Sequence, residues 1–297
     1  MHDDILISFF YLDVGEMDRS KDILFVLVIY KCRLEDSVSF KTLVEQNGEI
    51  ENLFVYDNTP TVQDTSLPVA AYVHDADNGG LSRAYNRGCK FACENGYKWL
   101  LLLDQDTVFP KNALDAYRKA MVSSENLNMI VPQHKVSNGK YLSPTRYFLR
   151  MSDLQDTVCT GLVSFSQASP INSGILVSAE SFCKVGGYEE SVWLDFSDIC
   201  FIEKYKKLYP FCYVLPDVVC FQQFSMLETD KKRVFNRFCI YLECARNFPR
   251  HSFADSIILA IATLRPTLSR TIKERTLRYI KAFFEIYFFN KQINKSV

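Results

Sequence analysis

The sequence predicts an α/β protein in which a mostly parallel central sheet is flanked by helices and followed by a C-terminal helical extension. Three observations predict it. Continuous apolar runs, Ile23 to Tyr30 and Trp99 to Leu103, have the composition of strands covered on both faces. Segments of helical period separate these runs, and that alternation favours parallel strands joined by right-handed crossovers. From Glu228 onward the pattern is helical throughout. The 297 residues suffice for one large α/β domain or one domain with an appendage.

Residues 1–20 read as an N-terminal extension, 21–227 as the sheet domain and 228–297 as the helical region. After the first strand, Ser37 to Gln46 predicts a helix ending near Gly48. Asn52 to Asn58 is the second strand, with Asp57 at its end, and Val69 to Val73 the third. Leu81 to Gly96 is a helix stopped by glycine. Trp99 to Leu103 is the fourth strand, Ala113 to Met121 a helix and Asn128 to Gln133 a strand. Residues 137–167 are irregular, either an insertion near a site or strands of an attached sheet. Asn172 to Tyr188 reads as a strand, a short helix from Ala179 and a Gly-Gly turn. Asp195 to Pro210 is a loop entering a helix, and Phe211 to Ser225 is strand-like on both sides of Pro216. No internal repeat is present.

A formal net charge of −1 argues against a general nucleic-acid binder. The 10 cysteines are scattered, with Cys89/Cys93 and Cys239/Cys244 the closest pairs and no CxxC or Cys/His metal spacing. Most of them read as small buried apolar residues, which fits a reducing cytoplasm. The start "MHDDILISFF" lacks a basic segment leading into a long apolar one, so no signal peptide is expected. No apolar run reaches the roughly 18 residues of a membrane span.

Asp104 and Asp106 follow the apolar run of the fourth strand directly. In a parallel sheet ligands sit beyond the carboxyl ends of the strands, where Tyr30, Asp57, His74 to Gly80 and this acidic pair gather. Two carboxylates so close repel unless a cation joins them. Oxygen donors of this kind suit Mg²⁺ or Mn²⁺ shared with substrate phosphates. A helix-capping or solvated loop role for Asp104 is the plainer reading. A DxD after an apolar strand also opens the haloacid-dehalogenase-like phosphatases. Here several strands precede it, and no downstream lysine with paired acids follows.

In order along the chain, "VLVIYK" (Val26 to Lys31), "VYDNTP" (Val55 to Pro60), "NGGLSRAYNRG" (Asn78 to Gly88), "LLLDQDT", "NSGILVSAESFCKVGGYEE" (Asn172 to Glu190), "SDICFIEK" (Ser197 to Lys204) and "YLECARN" (Tyr241 to Asn247) resemble glycosyltransferase family 2. These are inverting enzymes of the GT-A fold, and the last segment is similar to their rhamnosyltransferase-like branch. The resemblance spans Ile23 to Asn247. It implies transfer of a sugar, rhamnose among the candidates, from a UDP- or dTDP-linked donor to a glycan or lipid-linked acceptor of a surface polysaccharide. It implies that Tyr30 touches the nucleobase, and that Asp57 bonds the base, against a turn role. Asn78, Gly79, Gly80 and Asn86 would line the donor, against turn and helix-cap roles. Asp104 would meet the ribose or a metal-bound water, and Asp106 would hold Mg²⁺ or Mn²⁺.

An inverting transfer also needs a carboxylate to take the acceptor's proton. Asp198 matches the Asp of the family's E-D pair, with Asp195 in reserve; Asp198 also reads as a helix cap. Ser197 and Cys200 depart from the family's acids, and Gln222 and Gln223 stand where relatives place a metal-serving histidine. These departures leave open a non-catalytic nucleotide-sugar-binding protein. Of the four histidines, His74 alone is expected near the donor, as a loop residue. In the tail, Ile272, Leu277, Ile280, Phe283, Phe284 and Tyr287 would share one face, with Arg270, Lys273, Arg275, Arg278 and Lys281 around it. Residues 265–290 would therefore either lie on an anionic membrane, at the inner face of the cell membrane, or pack on the sheet domain.

Overall fold

The computed structural model describes residues 21–63, 66–123, 127–148, 150–222 and 230–291. The expected extension 1–20 and Gln223 lie outside them. Strand β1 (Ile23–Ile29) pairs in parallel with β2 (Leu53–Asp57), which pairs in parallel with β3 (Ala71–His74). Helix α1 (Gly80–Asn95) then leads to β4 (Trp99–Asp104), parallel to β1 on its other side. A tight turn leads to β5 (Thr107–Val108), then α2 (Ala113–Ser123) and β6 (Met129–Lys135).

The irregular segment divides into β7 (Tyr141–Ser143), the hairpin β8 (Tyr147–Phe148) and β9 (Met151–Ser152), and β10 (Gly161–Ser164). Of these, β7 joins β6, β10 joins the main sheet, and the β8–β9 hairpin stands apart. The expected strand from Asn172 shortens to β11 (Leu176–Ser178), inserted antiparallel between β4 and β6. Helices α3 (Ala179–Lys184) and α4 (Ser197–Tyr205) precede β12 (Phe211–Gln222). The sheet order is β10-β12-β6-β11-β4-β1-β2-β3. Pro216 falls where the β12 register shifts, between Val214 and Val219, so its missing N–H disrupts no regular ladder.

The unbroken apolar runs reflect burial on both faces. Leu24, Val26, Leu100 and Leu102 pack with Tyr85 and Cys89 of α1, whereas Phe25, Leu27, Leu101 and Leu103 pack with Phe40 and Tyr117 on the other side. Register then aligns the strand ends: Ile29 lies beside Asp57, Val28 beside Asp104 and Asp57 beside His74. The helix expected over 37–46 is instead a π-turn (Phe40–Val44) and a 3-10 turn (Glu45–Asn47), ending at Gly48 as expected. Thr42 Oγ1 bonds to the Val38 carbonyl at 2.8 Å and Asn47 Nδ2 to the Leu43 carbonyl at 2.6 Å. Such side-chain bonds compete with the regular helical ladder.

The helical region comprises α5 (Lys231–Asn247), α6 (Phe253–Glu274), α7 (Arg278–Ala282) and a π-turn over Phe283–Phe288. It shares a core with the loop before α4, in which Val192, Trp193, Phe196 and Cys200 pack among Phe238, Leu242, Tyr279 and Phe283. Trp193 Nε1 donates to Glu243 Oε2 at 3.1 Å, and Asn247 Nδ2 to the Ser191 carbonyl at 2.9 Å. The single apolar face expected in the tail does not form. Arg275, with φ of 51°, ends α6, so Ile272 and Leu277 lie on different helices. Phe283 and Tyr287 are buried, while Ile272, Leu277 and Phe284 are exposed. A continuous exposed stripe runs instead along α6: Phe253, Ile257, Ile261, Leu264, Leu268 and Ile272. No helix among the described residues is long and apolar enough to cross a membrane.

Helix α1 approaches β1 through Gly88, where an added Cβ would meet both γ-carbons of Val26 at 2.7 Å. Gly88→Ala should therefore destabilise the protein by about 1–3 kcal/mol. A lower midpoint in urea unfolding with an unchanged m-value checks this; an unchanged midpoint contradicts it.

Candidate active site

Asp104 ends β4, and Asp106 follows through the tight turn at Gln105. The turn is fixed from the β1 side. Ser37 Oγ and the Val38 amide both donate to the Gln105 carbonyl, at 3.0 and 2.9 Å. Ser39 Oγ bonds to the carbonyls of Asp104 and Thr107 and accepts from the Thr107 amide at 3.1 Å. The Gln105 side chain points away from its acidic neighbours. Its Oε1 accepts from the Tyr30 amide at 2.7 Å and its Nε2 donates to the Tyr30 carbonyl at 3.3 Å, tying the end of β1 to the acidic turn.

Tyr85 on α1 donates its hydroxyl to Asp104 Oδ1 at 2.8 Å, and Gln222 Nε2 donates to Asp106 Oδ1 at 2.9 Å. Gln222 Oε1 in turn accepts from Thr107 Oγ1 at 3.0 Å. Burial pushes the Asp104 pKa up to about 7, and the charges of Asp106 and Asp198 push the same way. Burial also raises Asp106. Among the described residues neither carboxylate is paired with Lys or Arg.

Asp198 is the second residue of α4. It is not the helix cap, a position taken by Phe196 at φ of 63°, and its Oδ1 accepts from the Ile199 amide at 2.8 Å. Burial, and then repulsion from Asp195, raises its pKa to about 6. Its charge raises Asp104 as well, so the two carboxylates lie within electrostatic reach of one another. Asp195 is in a different state, held by two bonds to the Arg237 guanidinium of α5. Ser197 is 1% exposed; its hydroxyl donates to the Leu194 carbonyl at 2.7 Å and accepts from Asn172 Nδ2 at 2.9 Å. A carboxylate there could accept but not donate. Cys200 is buried in the core shared with the tail.

The remaining expected donor residues have protein partners. Asp57 is 0% exposed: Oδ1 accepts from the Thr59 amide at 2.8 Å, and Oδ2 from Tyr72 Oη at 2.5 Å and Gln63 Nε2 at 3.1 Å. Three of its roughly four acceptor positions are thus filled. Asn86 pairs with the Tyr188 backbone, accepting its amide at 2.8 Å and donating to its carbonyl at 3.0 Å. Gly80 has φ of 78°, and a Cβ there would lie 2.3 Å from the Trp193 carbonyl oxygen. That carbonyl also accepts the Leu81 amide at 2.8 Å, so it occupies the first turn of α1. The amide of Gly80 donates to Asn58 Oδ1 at 3.2 Å, and neither Asn78 nor Asn86 caps the helix. Asn78 has φ of 51° and its amide bonds to the Asp75 carbonyl at 3.1 Å. Tyr30 is half-buried, with Lys31 Nζ 5.0 Å from its ring centre. His74 is not the loop residue expected: it is the last residue of β3, beside Asp57, with its Nε2 2.7 Å from the Thr59 carbonyl.

Four participants are absent from the sequence reading. Tyr85 had a signal, since it lies four residues before Cys89 on the buried face of α1. Gln105, Ser37 and Ser39 had none, because a turn residue's direction leaves no periodic trace. His134 lies beside Cys220 in register, is 1% exposed and is held down to about pKa 3 by burial, which makes it a neutral core residue. The acidic pair fits a divalent cation on chemical grounds: oxygen-only donors, raised pKa values and no protein cation among the described residues to balance them.

No family model and no curated protein sequence matches this chain. Solved structures do. GalNAc-T7, crystallised with UDP, GalNAc and Mn²⁺, aligns with a TM-score of 0.52 at 9% identity over 69% of this chain. The chain spans 44% of the length of that protein. S. aureus TarS 1–349 in complex with UDP-GlcNAc aligns with a TM-score of 0.50 at 14% identity, covering 88% of this chain and 78% of TarS 1–349. The curled sheet flanked by helices is the GT-A glycosyltransferase fold.

The raised Asp104 pKa carries a stability consequence. An unfolded carboxyl ionises near pH 4, the folded one near 7, so ionisation opposes folding increasingly as pH rises across that window. Asp104→Asn, which can still accept from Tyr85, should raise the melting temperature of metal-free protein at pH 7.5 by ~2–6 °C. The gain should vanish by pH 4. A lower melting temperature at pH 7.5 would contradict the assigned environment.

Proposed function

We propose that the protein is a divalent-metal-dependent, inverting glycosyltransferase. It moves a sugar from a UDP- or dTDP-linked donor to a hydroxyl of a glycan or lipid-linked acceptor, at the cytoplasmic side of the membrane. The observation that carries this reading is the acidic pair at the end of β4, within electrostatic reach of Asp198, a carboxylate with a pKa of about 6 and no Lys or Arg partner among the described residues. The similarity of "YLECARN" to the rhamnosyltransferase-like branch makes dTDP-rhamnose the first donor to test.

In this reading Asp104 and Asp106 hold Mg²⁺ or Mn²⁺, which when bound stabilises negative charge on the departing nucleoside diphosphate. Tyr85 and Gln222 orient the two carboxylates. Asp198 accepts the acceptor hydroxyl's proton as the oxygen bonds to the anomeric carbon, the bond to the diphosphate breaks and configuration inverts. Asp195 is unsuited to that role because Arg237 occupies it. Tyr30 borders the nucleobase. Asp57 holds the 59–63 loop under the base and meets its imino hydrogen once Gln63 yields its place. Asn78, Gly80 and Asn86 shape the donor's surroundings through the backbone, Asn86 by fixing Tyr188. The α6 stripe, with Arg265 and Lys273 exposed beside it, supports docking on an anionic membrane surface. Ile261→Glu with Leu268→Glu should abolish flotation with phosphatidylserine vesicles; unchanged flotation would remove the membrane from the reading.

Asp198→Asn should lower turnover by ~10²–10⁴ while calorimetric binding of UDP or dTDP stays unchanged. A base must be unprotonated, so kcat/KM should fall tenfold per pH unit below about 6 and level off above it. Unaltered turnover in Asp198→Asn would reject the base assignment. Nucleotide binding without transfer to any acceptor would favour a non-catalytic nucleotide-sugar-binding protein.

A further inference from the structure

Cys89 and Cys93 stand four residues apart on α1, a spacing that puts both thiols on one face of the helix. Cys183 of α3 completes a triangle. Its sulfur lies 3.4 Å from Cys89 Sγ and 3.5 Å from Cys93 Sγ, and all three sulfurs lie within 4.8 Å of one another. Cys89 is buried, whereas Cys93 and Cys183 are exposed, so one corner is anchored in the core and two face solvent. The triangle borders an open depression on the α1–α3 seam, whose lining includes Phe182, Lys90 and Glu94. None of the residues assigned above to the donor or the proton transfer contributes a sulfur, and the proposed carboxylate site uses oxygen alone.

Thiols are weak hydrogen-bond partners, so three of them in mutual contact gain little from one another. They do match one class of ligand. A tetrahedral zinc ion with Zn–S bonds of ~2.3 Å sets neighbouring sulfurs ~3.8 Å apart. The two observed short edges need to open by only a few tenths of an ångström. Soft sulfur donors select Zn²⁺ over the hard Mg²⁺ and Mn²⁺ that suit the carboxylates.

We propose that Cys89, Cys93 and Cys183 form a Zn²⁺ site, with the fourth coordination position open to solvent. Binding releases three thiol protons to solvent and leaves three thiolates on one dication, a net charge of −1 at the solvent-facing edge of the seam. The ion ties α3 to the second half of α1. The site was not visible in sequence because the third ligand lies 90 residues beyond Cys93 in a different element.

Cobalt(II) titration of the reduced, full-length chain tests this, since thiolate ligation gives a near-ultraviolet charge-transfer band that carboxylate ligation does not. One equivalent should produce the band, and Zn²⁺ should displace it. Zn²⁺ should also raise the melting temperature, as any ligand of the native state does. Cys93→Ser and Cys183→Ser should each lose the band and the Zn²⁺-dependent shift. Cys159→Ser, an exposed cysteine elsewhere, should keep both, and Asp106→Asn should keep the band, which separates this site from the carboxylates. No band at stoichiometric cobalt, a band retained in Cys183→Ser, or a Cys183 disulfide in protein isolated without oxidant would each overturn the proposal.

Discussion

Ionising Asp104 in its partly buried position, with Asp106 and Asp198 beside it, opposes folding, and much of the surrounding structure answers that one electrostatic constraint. Water would screen these charges cheaply; the end of a sheet buried on both faces cannot. The chain supplies no lysine or arginine among the described residues to balance them. It supplies single hydrogen bonds instead, Tyr85 to Asp104 and Gln222 to Asp106. These steady the carboxylates without neutralising them. Arg237 makes the contrast plain, because it pairs with Asp195 only three residues from Asp198.

Keeping such groups in place requires a rigid turn. The Gln105 carbonyl receives a serine hydroxyl and a backbone amide, and the Gln105 side chain clamps both polar groups of Tyr30. Ser39 links the carbonyls on either side of the acidic pair. These bonds come from the residues that lead directly into the π- and 3-10 turns after β1. Local irregularity here secures a strained electrostatic arrangement, as is common at functional sites.

The strand ends and the location of the acidic pair were legible because both follow from burial. A strand covered on both faces must be apolar at every position, so the first polar residue marks its end: Asp57 in β2, Asp104 in β4. Side-chain direction in turns and loops was not legible. Asn86 and Gly80 were expected to face a sugar nucleotide, yet their visible partners are Tyr188 and Trp193, more than 100 residues away. Such contacts depend on which loop folds over the helix, and no local pattern encodes that. The tail failed for a similar reason. Its apolar positions fit one helical face on a wheel, but Arg275 in a left-handed conformation breaks the helix, and the true exposed stripe begins earlier, at Phe253.

Helix α1 connects these features mechanically. Its first turn is closed by the Trp193 carbonyl, which belongs to the core shared with α5 and α7. One turn later Tyr85 reaches Asp104 and Asn86 holds the Tyr188 backbone, while Tyr188 stacks on Phe201 of α4 with ring centres 4.2 Å apart and 5° between planes. Its second half carries Cys89 and Cys93. A close-packed interior offers little slack along this path, and Gly88 shows how little, since a single methyl group would overlap Val26. A rotation of α1 by a fraction of a residue would therefore move Tyr85 from Asp104 and Asn86 from Tyr188 together. The far half of the helix meets α3 where Cys89 and Cys183 approach to 3.4 Å, and a tie there would oppose that rotation.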